Sequence, residues 1–165
     1  MAFMGWGYAI VVGLIVLNVA APRLRPAPEK ALRQFHAQYH DRKTAEDQLM
    51  CPLILAGPAA CPVIARDIKD RKQPLRRYAI GAIENLRCID ALPVLRAILV
   101  DESEKDYFRG DALEAIWQID QTEGETAAKA VSGRTDILGG VARSLLSGRS
   151  QRVMTYWDAF ICQHD

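Results

Sequence analysis

Residues 76–120, RRYAIGAIENLRCIDALPVLRAILVDESEKDYFRGDALEAIWQID, repeat themselves and their surroundings. AIGAIENL at 79–86 aligns with ALEAIWQI at 112–119, an offset of 33 that sets Ala79 on Ala112, Ala82 on Ala115 and Ile83 on Ile116. CPVIARDIKD at 61–70 aligns with LPVLRAILVD at 92–101, an offset of 31 that sets Pro62-Val63 on Pro93-Val94, Ile68 on Leu99 and Asp70 on Asp101. Two separate matches at nearly one period mark an internal repeat. Each period holds one helix with small and branched residues at helical spacing, a short turn, and a second helix with proline in its first turn, where the missing N–H is harmless. The alanines permit close helix–helix approach. A single hairpin of this kind cannot bury its own apolar stripe, so hairpins must stack. About four are expected, at 45–70, 75–100, 107–131 and 134–162. The last is degenerate, broken at Gly139-Gly140 and Ser147-Gly148, but carries Val153, Trp157, Phe160 and Ile161 at helical spacing, as a terminal cap should. No stretch alternates like a strand.

The Ala-x-x-Ala-Ile/Leu core, the Ala-Leu-Pro-Val-Leu start of the second helix, its closing Asp101 and Arg109 before the next helix resemble the short-period HEAT-like repeats also found in phycobilin-lyase-related proteins. The resemblance covers about residues 45–131. It implies an all-α, right-handed α-solenoid that holds other proteins, and it does not imply lyase activity.

Upstream, Leu32, Phe35 and Tyr39 mark an amphipathic helix, and Thr44-x-x-Asp47 is a plausible capping box for the next one, which Gly57-Pro58 stops. Residues 23–29, RLRPAPE, read as a short extended linker. Before it, residues 3–21, FMGWGYAIVVGLIVLNVAA, contain one polar side chain, Asn18. As a helix this run spans roughly 28 Å, close to a bilayer core of about 30 Å. Trp6 and Tyr8 suit one interface, Arg23 and Arg25 the other. The expected organisation is therefore a transmembrane anchor at 1–22, a linker at 23–30 and a helical-repeat domain at 31–165. A cleaved signal peptide is the rival reading. Val19-Ala20-Ala21 offers small residues for it, but no Lys or Arg precedes the run and Pro22 follows the best cut site. Arg23, Arg25, Lys30 and Arg33 follow the span, and the positive-inside tendency thus leaves the domain on the cytoplasmic side, with a periplasmic or other extracytoplasmic placement as the alternative.

The chain of 165 residues is half apolar, with 21 basic and 20 acidic side chains. Its near-neutral charge argues against nucleic acid as a partner. Cys51, Cys61, Cys88 and Cys162 match no zinc or haem spacing. Their even number suits a disulfide framework. Three of them, however, stand where a repeat places small buried residues, so buried thiols are the expectation.

Candidate sites are sparse. His36 and His40 stand at i, i+4, a spacing able to seat one metal, but no further histidine occurs before His164, and two solvent-facing histidines are expected. The chain lacks the His-Glu dipeptides on which iron-binding repeat enzymes such as deoxyhypusine hydroxylases are built. DESEKD at 101–106 lacks the glycine and terminal glutamate of a calcium loop, and Arg109 is expected to pair with an acid of its own or a neighbouring repeat. RDIKDRKQPLRR at 66–77 carries six basic and two acidic groups; it suits anionic headgroups or, more simply, a solvated turn between repeats. Gly139-Gly140 is too isolated for a phosphate loop. Ser103, Ser132, Ser144, Ser147 and Ser150 have no histidine near them in sequence. The residues point to a non-catalytic, membrane-tethered adaptor, scaffold or assembly factor with no metal or cofactor. Its partner is a membrane-associated protein, met through second-helix positions Arg66, Lys69 and Arg96. The alternative is a metal- or prosthetic-group-handling subunit or maturation enzyme. A secreted, disulfide-stapled repeat protein is the third possibility.

Overall fold

The computed structural model describes residues 25–41, 43–148 and 162. The protein is all-α, and there is no strand among the described residues. Among the described residues the eight α-helices are α1 (Pro28–Ala37), α2 (Cys51–Ala56), α3 (Cys61–Asp67), α4 (Arg76–Leu86), α5 (Leu92–Val100), α6 (Asp106–Ile119), α7 (Gln121–Val131) and α8 (Ile137–Leu146). Among the described residues no helix is long and apolar enough to cross a membrane. The expected span at 3–21 and the second helix of the last hairpin lie outside the described residues.

The stretches expected as hairpins at 45–70, 75–100 and 107–131 hold α2 and α3, α4 and α5, and α6 and α7, and the last stretch opens with α8. Pro52, Pro62 and Pro93 each fall in a first helical turn, where their fixed φ suits the helix. Gly57 ends α2 at φ +70°, a conformation open to glycine without a Cβ clash. Helix α1 packs on α2, α3 on α4, α5 on α6, α6 on α7 and α7 on α8; α2 also touches α4, α4 touches α6, and α6 touches α8, while α1 touches α3. Helix α1 packs on α2 and α3, although its own sequence does not match the repeat. It starts at Pro28, inside the stretch expected as linker, because a proline at the first position with Glu29 beside it favours a helix N-terminus.

One contiguous core runs through all the helices. Phe35, Leu53, Ile64, Ile80, Ile83, Leu95, Leu113, Ile116 and Leu138 are fully buried in it. Each such side chain stabilises the fold by about 1.5–3 kcal/mol relative to exposure. Ala79, Ala82, Ala112 and Ala115 have no exposed surface at all, as close helix approach requires.

The tightest crossing is α6 on α7. Only Asp120 separates the two helices, and its carboxylate accepts the Glu123 N–H at 3.0 Å to cap α7. A Cβ on Gly124 would stand 2.3 Å from the Trp117 Cα, so the helices touch backbone to backbone there. Gly124→Ala is expected to cost about 1–3 kcal/mol through overpacking, read as a lowered urea midpoint. An unchanged midpoint would mean that α6 and α7 separate freely.

Two expectations need correction. Thr44 does not cap a helix: its hydroxyl donates to Asp41 Oδ2 at 3.0 Å, residues 46–48 form a 3-10 turn, and α2 starts only at Cys51. The turn at 46–48 has Ala45 at its N-cap, so the Thr44 oxygen stands one residue too early to accept its N–H groups. Nor are the cysteines thiols. Cys51 bonds Cys162 and Cys61 bonds Cys88, with Cα–Cα separations of 5.1 and 5.4 Å, both ordinary for disulfides. Burial and small size describe half-cystines as well as thiols, so the repeat pattern could not distinguish them. Arg87 adopts the left-handed conformation at the end of α4 (φ 50°), and the Cys88 N–H reaches back to the Ile83 carbonyl at 3.1 Å. That turn brings Cys88 inward to Cys61.

Candidate interaction surface

Short polar turns link each unit to the next. Asp41, Asp70 and Asp101 each follow a helix of the α1, α3, α5 series and accept the backbone N–H two residues on, from Lys43, Lys72 and Ser103, at 2.9 Å in every case. A buried arginine then closes the carbonyl end of the preceding helix. Arg76 Nε donates to the Ile68 carbonyl at 2.7 Å, and Arg109 Nε to the Leu99 carbonyl at 2.9 Å. Arg143 differs: it is exposed, and its Nη1 donates to the Ser132 and Arg134 carbonyls, at and just past the end of α7, at 2.7 and 2.6 Å. Terminal helix carbonyls lack partners within the helix and carry the negative end of its dipole, so a guanidinium satisfies both needs. Arg109 was expected on an acid. It does approach Asp106, at 3.6 Å, but its closer bond is to backbone. Only this arginine's recurrence at 76, 109 and 143 was available in the sequence as a signal.

Ion pairs cross from unit to unit. Arg76 meets Glu104 at 2.7 Å with both side chains buried, and lies over the Phe108 ring at 4.8 Å. Arg71 bridges to Asp101 and Ser103. Arg77 grips Asp111 with two bonds, at 2.7 and 3.0 Å, which raises its pKa further. Tyr78 donates to Glu46 at 2.5 Å, and that bond to a carboxylate pushes the phenol pKa up. The basic run at 66–77 is therefore largely consumed inside the molecule, and so is DESEKD at 101–106. Exposed pairs of this sort contribute about 0–1 kcal/mol each, so their effect is on register more than on stability.

Asp136 caps α8, accepting the Gly139 N–H at 3.0 Å and the Arg134 guanidinium at 2.5 Å. Chiefly through Arg134, its pKa is held down at about 2. A depressed carboxyl pKa stabilises the fold fully above its unfolded value of about 3.9 and loses that effect as pH falls through the folded value. The carboxylate of Asp136 is thus expected to titrate near pH 2 in a carbon-detected NMR series, while Asp136→Asn abolishes this part of the acid destabilisation. Titration near pH 4 would show that the cap is not formed. Gly139 is required for another reason than phosphate binding, since a Cβ there would stand 2.1 Å from the Arg134 carbonyl.

Of the three expected contact residues, Arg66 and Lys69 border one shallow groove of about 390 Å³ between α3 and α5, with Pro62, Pro93 and Val94 as its apolar part. Arg96 is exposed on α5 but does not line this groove. Arg66 reaches Glu29 at 2.9 Å with both side chains well exposed. Arg96 holds Glu123 at 2.5 and 2.6 Å, a pairing that raises the arginine pKa and lowers that of the glutamate. Lys69 is exposed and lies on the groove wall. Ile89, just before α5, and Val100, at its end, are each 71% exposed.

A second, smaller cavity of about 210 Å³ lies on the α2–α4–α6 side, lined by Glu46, Met50, Arg77, Tyr78, Glu84 and Asp111 among others. It was not legible in the sequence, because its lining residues lie as far apart as Glu46 and Asp111. His36 is engaged with Asp67 at 3.0 Å, and Gln73 bonds the same carboxylate at 2.9 Å. His40 stacks edge-on against Tyr39. The two histidines are thus turned to different partners. Among the described residues no group of three or more His, Cys, Asp or Glu side chains is placed to hold a metal ion. No protein-family model, curated protein or solved structure matches this chain.

Proposed function

We propose that this protein is a membrane-anchored, non-catalytic scaffold: a right-handed, HEAT-like α-solenoid that holds a protein partner at the membrane surface. The observation that carries this reading is the serial packing of α2, α4, α6 and α8, each on the next, with an aspartate turn after each of α1, α3 and α5 and a buried arginine closing α3 and α5. Stacked units of this kind expose long faces suited to extended partners. The groove bounded by Arg66 and Lys69 between α3 and α5, and Arg96 beyond it, are the proposed contact. Anchoring through 3–21 would raise the local concentration of partners in the membrane plane.

The pairing of all four cysteines favours the extracytoplasmic side, since disulfides persist where the surroundings are oxidising. The positive-inside tendency argues the other way, but it governs short loops and yields to long translocated domains. Affinity purification of the full chain in mild detergent tests the scaffold reading. One protein recovered in stoichiometric amount, and lost on Lys69→Glu, is expected. A chain that purifies alone and retains stoichiometric metal through chelator washing would overturn it in favour of metal handling.

A further inference from the structure

The two disulfides are nested: Cys51–Cys162 encloses Cys61–Cys88. In a reduced, unfolded chain the chance that two cysteines meet falls as the −3/2 power of their separation. Cys51 and Cys61 are ten residues apart, whereas the native pairs are 27 and 111 apart. Their encounter is about fourfold more frequent than that of Cys61 with Cys88, and roughly 40-fold more frequent than that of Cys51 with Cys162. Order of emergence adds to this bias. Cys162 follows Cys61 by 101 residues, a delay of about 5–20 s at ordinary synthesis rates. A Cys51–Cys61 bond takes one partner from each native pair and blocks both. In the fold the two cysteines open different helices, α2 and α3, and Cys61 faces the turn after α4.

We propose that this chain is a substrate of a thiol–disulfide isomerase, a dithiol-class partner that resolves the Cys51–Cys61 bond. The first oxidation removes two electrons and two protons from Cys51 and Cys61 and passes them to a disulfide-bearing oxidant, which becomes a dithiol. The isomerase thiolate attacks Cys61 Sγ, the Cys51–Cys61 bond breaks, and Cys51 leaves as thiolate. The Cys88 thiolate then attacks Cys61 Sγ in the mixed disulfide and expels the isomerase thiolate unchanged. A second equivalent of the same oxidant closes Cys51–Cys162. The inference rests on the oxidising-compartment reading above.

The full chain, unfolded and reduced in denaturant, is returned to detergent-containing buffer in two arms. One contains diamide and no free thiol; the other adds a glutathione redox pair and protein disulfide isomerase. Pairings are mapped by alkylation, digestion and mass spectrometry. The first arm is expected to accumulate Cys51–Cys61, and the second to raise the yield of native pairing about tenfold or more, given the encounter bias. In the double variant Cys61→Ser/Cys88→Ser, Cys51–Cys162 is expected to form equally in both arms. Native pairing at equal rate and yield in the two wild-type arms overturns the proposal, and so does catalyst dependence that persists in the double variant. Alkylation of the chain at lysis separates the two readings. Unpaired cysteines there would defeat the compartment assignment while leaving the refolding result standing.

Discussion

Replacing Arg76 with alanine is expected to lower the unfolding free energy by about 3–5 kcal/mol, the usual loss when one partner of a buried ion pair is removed. Arg76 is 2% exposed, and its guanidinium serves three groups at once: the Ile68 carbonyl, the Glu104 carboxylate and the Phe108 ring. Removal leaves Glu104 buried with only Arg71, 3.6 Å away, and strips the carbonyl end of α3 of its donor. The remaining contact with Arg71 places the effect toward the lower end of the range. The double variant Arg76→Met/Glu104→Leu is expected to recover most of the loss, because the stranded charge is gone. A deficit of about 1 kcal/mol should persist from the unpaired Ile68 carbonyl. Urea unfolding followed by far-ultraviolet circular dichroism gives both values. A single variant that unfolds with the wild-type midpoint would show that Glu104 finds water or another cation without penalty.

Removing the outer disulfide by Cys51→Ser/Cys162→Ser is expected to destabilise the folded state by about 4–5 kcal/mol on the loop-entropy estimate, against about 3–4 kcal/mol for Cys61→Ser/Cys88→Ser. The outer bond closes 111 residues of sequence and the inner one 27, and that difference sets the order. The two losses should also differ in kind. A stack of units held only by its neighbours opens from its ends. Without the outer bond, amides of α1, α2 and α8 should exchange far faster than those of α4 and α6, whereas loss of the inner bond should speed exchange around α3 and the turn after α4. Hydrogen exchange read by mass spectrometry separates the two patterns. Uniform acceleration in both variants would mean that the array unfolds as one unit and that its ends are not its weak points.

The helices were legible in the sequence wherever packing geometry dictates residue type. Ala79 and Ala112 must be small because helices cross there, and Pro62 and Pro93 suit a first turn in both units. Helix α1 was legible from Leu32, Phe35 and Tyr39 alone, and its start was misplaced because Pro28 reads equally well as linker or as first helical turn. The partners of Arg76, Arg77 and Tyr78 were not legible, since Glu104, Asp111 and Glu46 lie 28, 34 and 32 residues away and meet them only after units stack. Disulfide pairing was hidden for the same reason: four cysteines permit three complete pairings, and nothing local chooses among them. For the acidic run 101–106, Arg109 was legible as a partner from its spacing to Asp106, whereas Arg71 and Arg76, about 30 residues upstream, were not.

The outer disulfide also decides where a mechanical load would travel. Tension applied between the two ends of the chain passes along residues 1–51, crosses the Cys51–Cys162 bond and leaves through residues 162–165. Residues 52–161 lie off that path and bear no direct pull. Only α1 and the turn before α2 stand in series with the load, so they are the part of the described domain that stretches first. Tugging on either end would therefore lengthen the molecule by the slack of its first segment while the stacked helices behind the bond keep their shape.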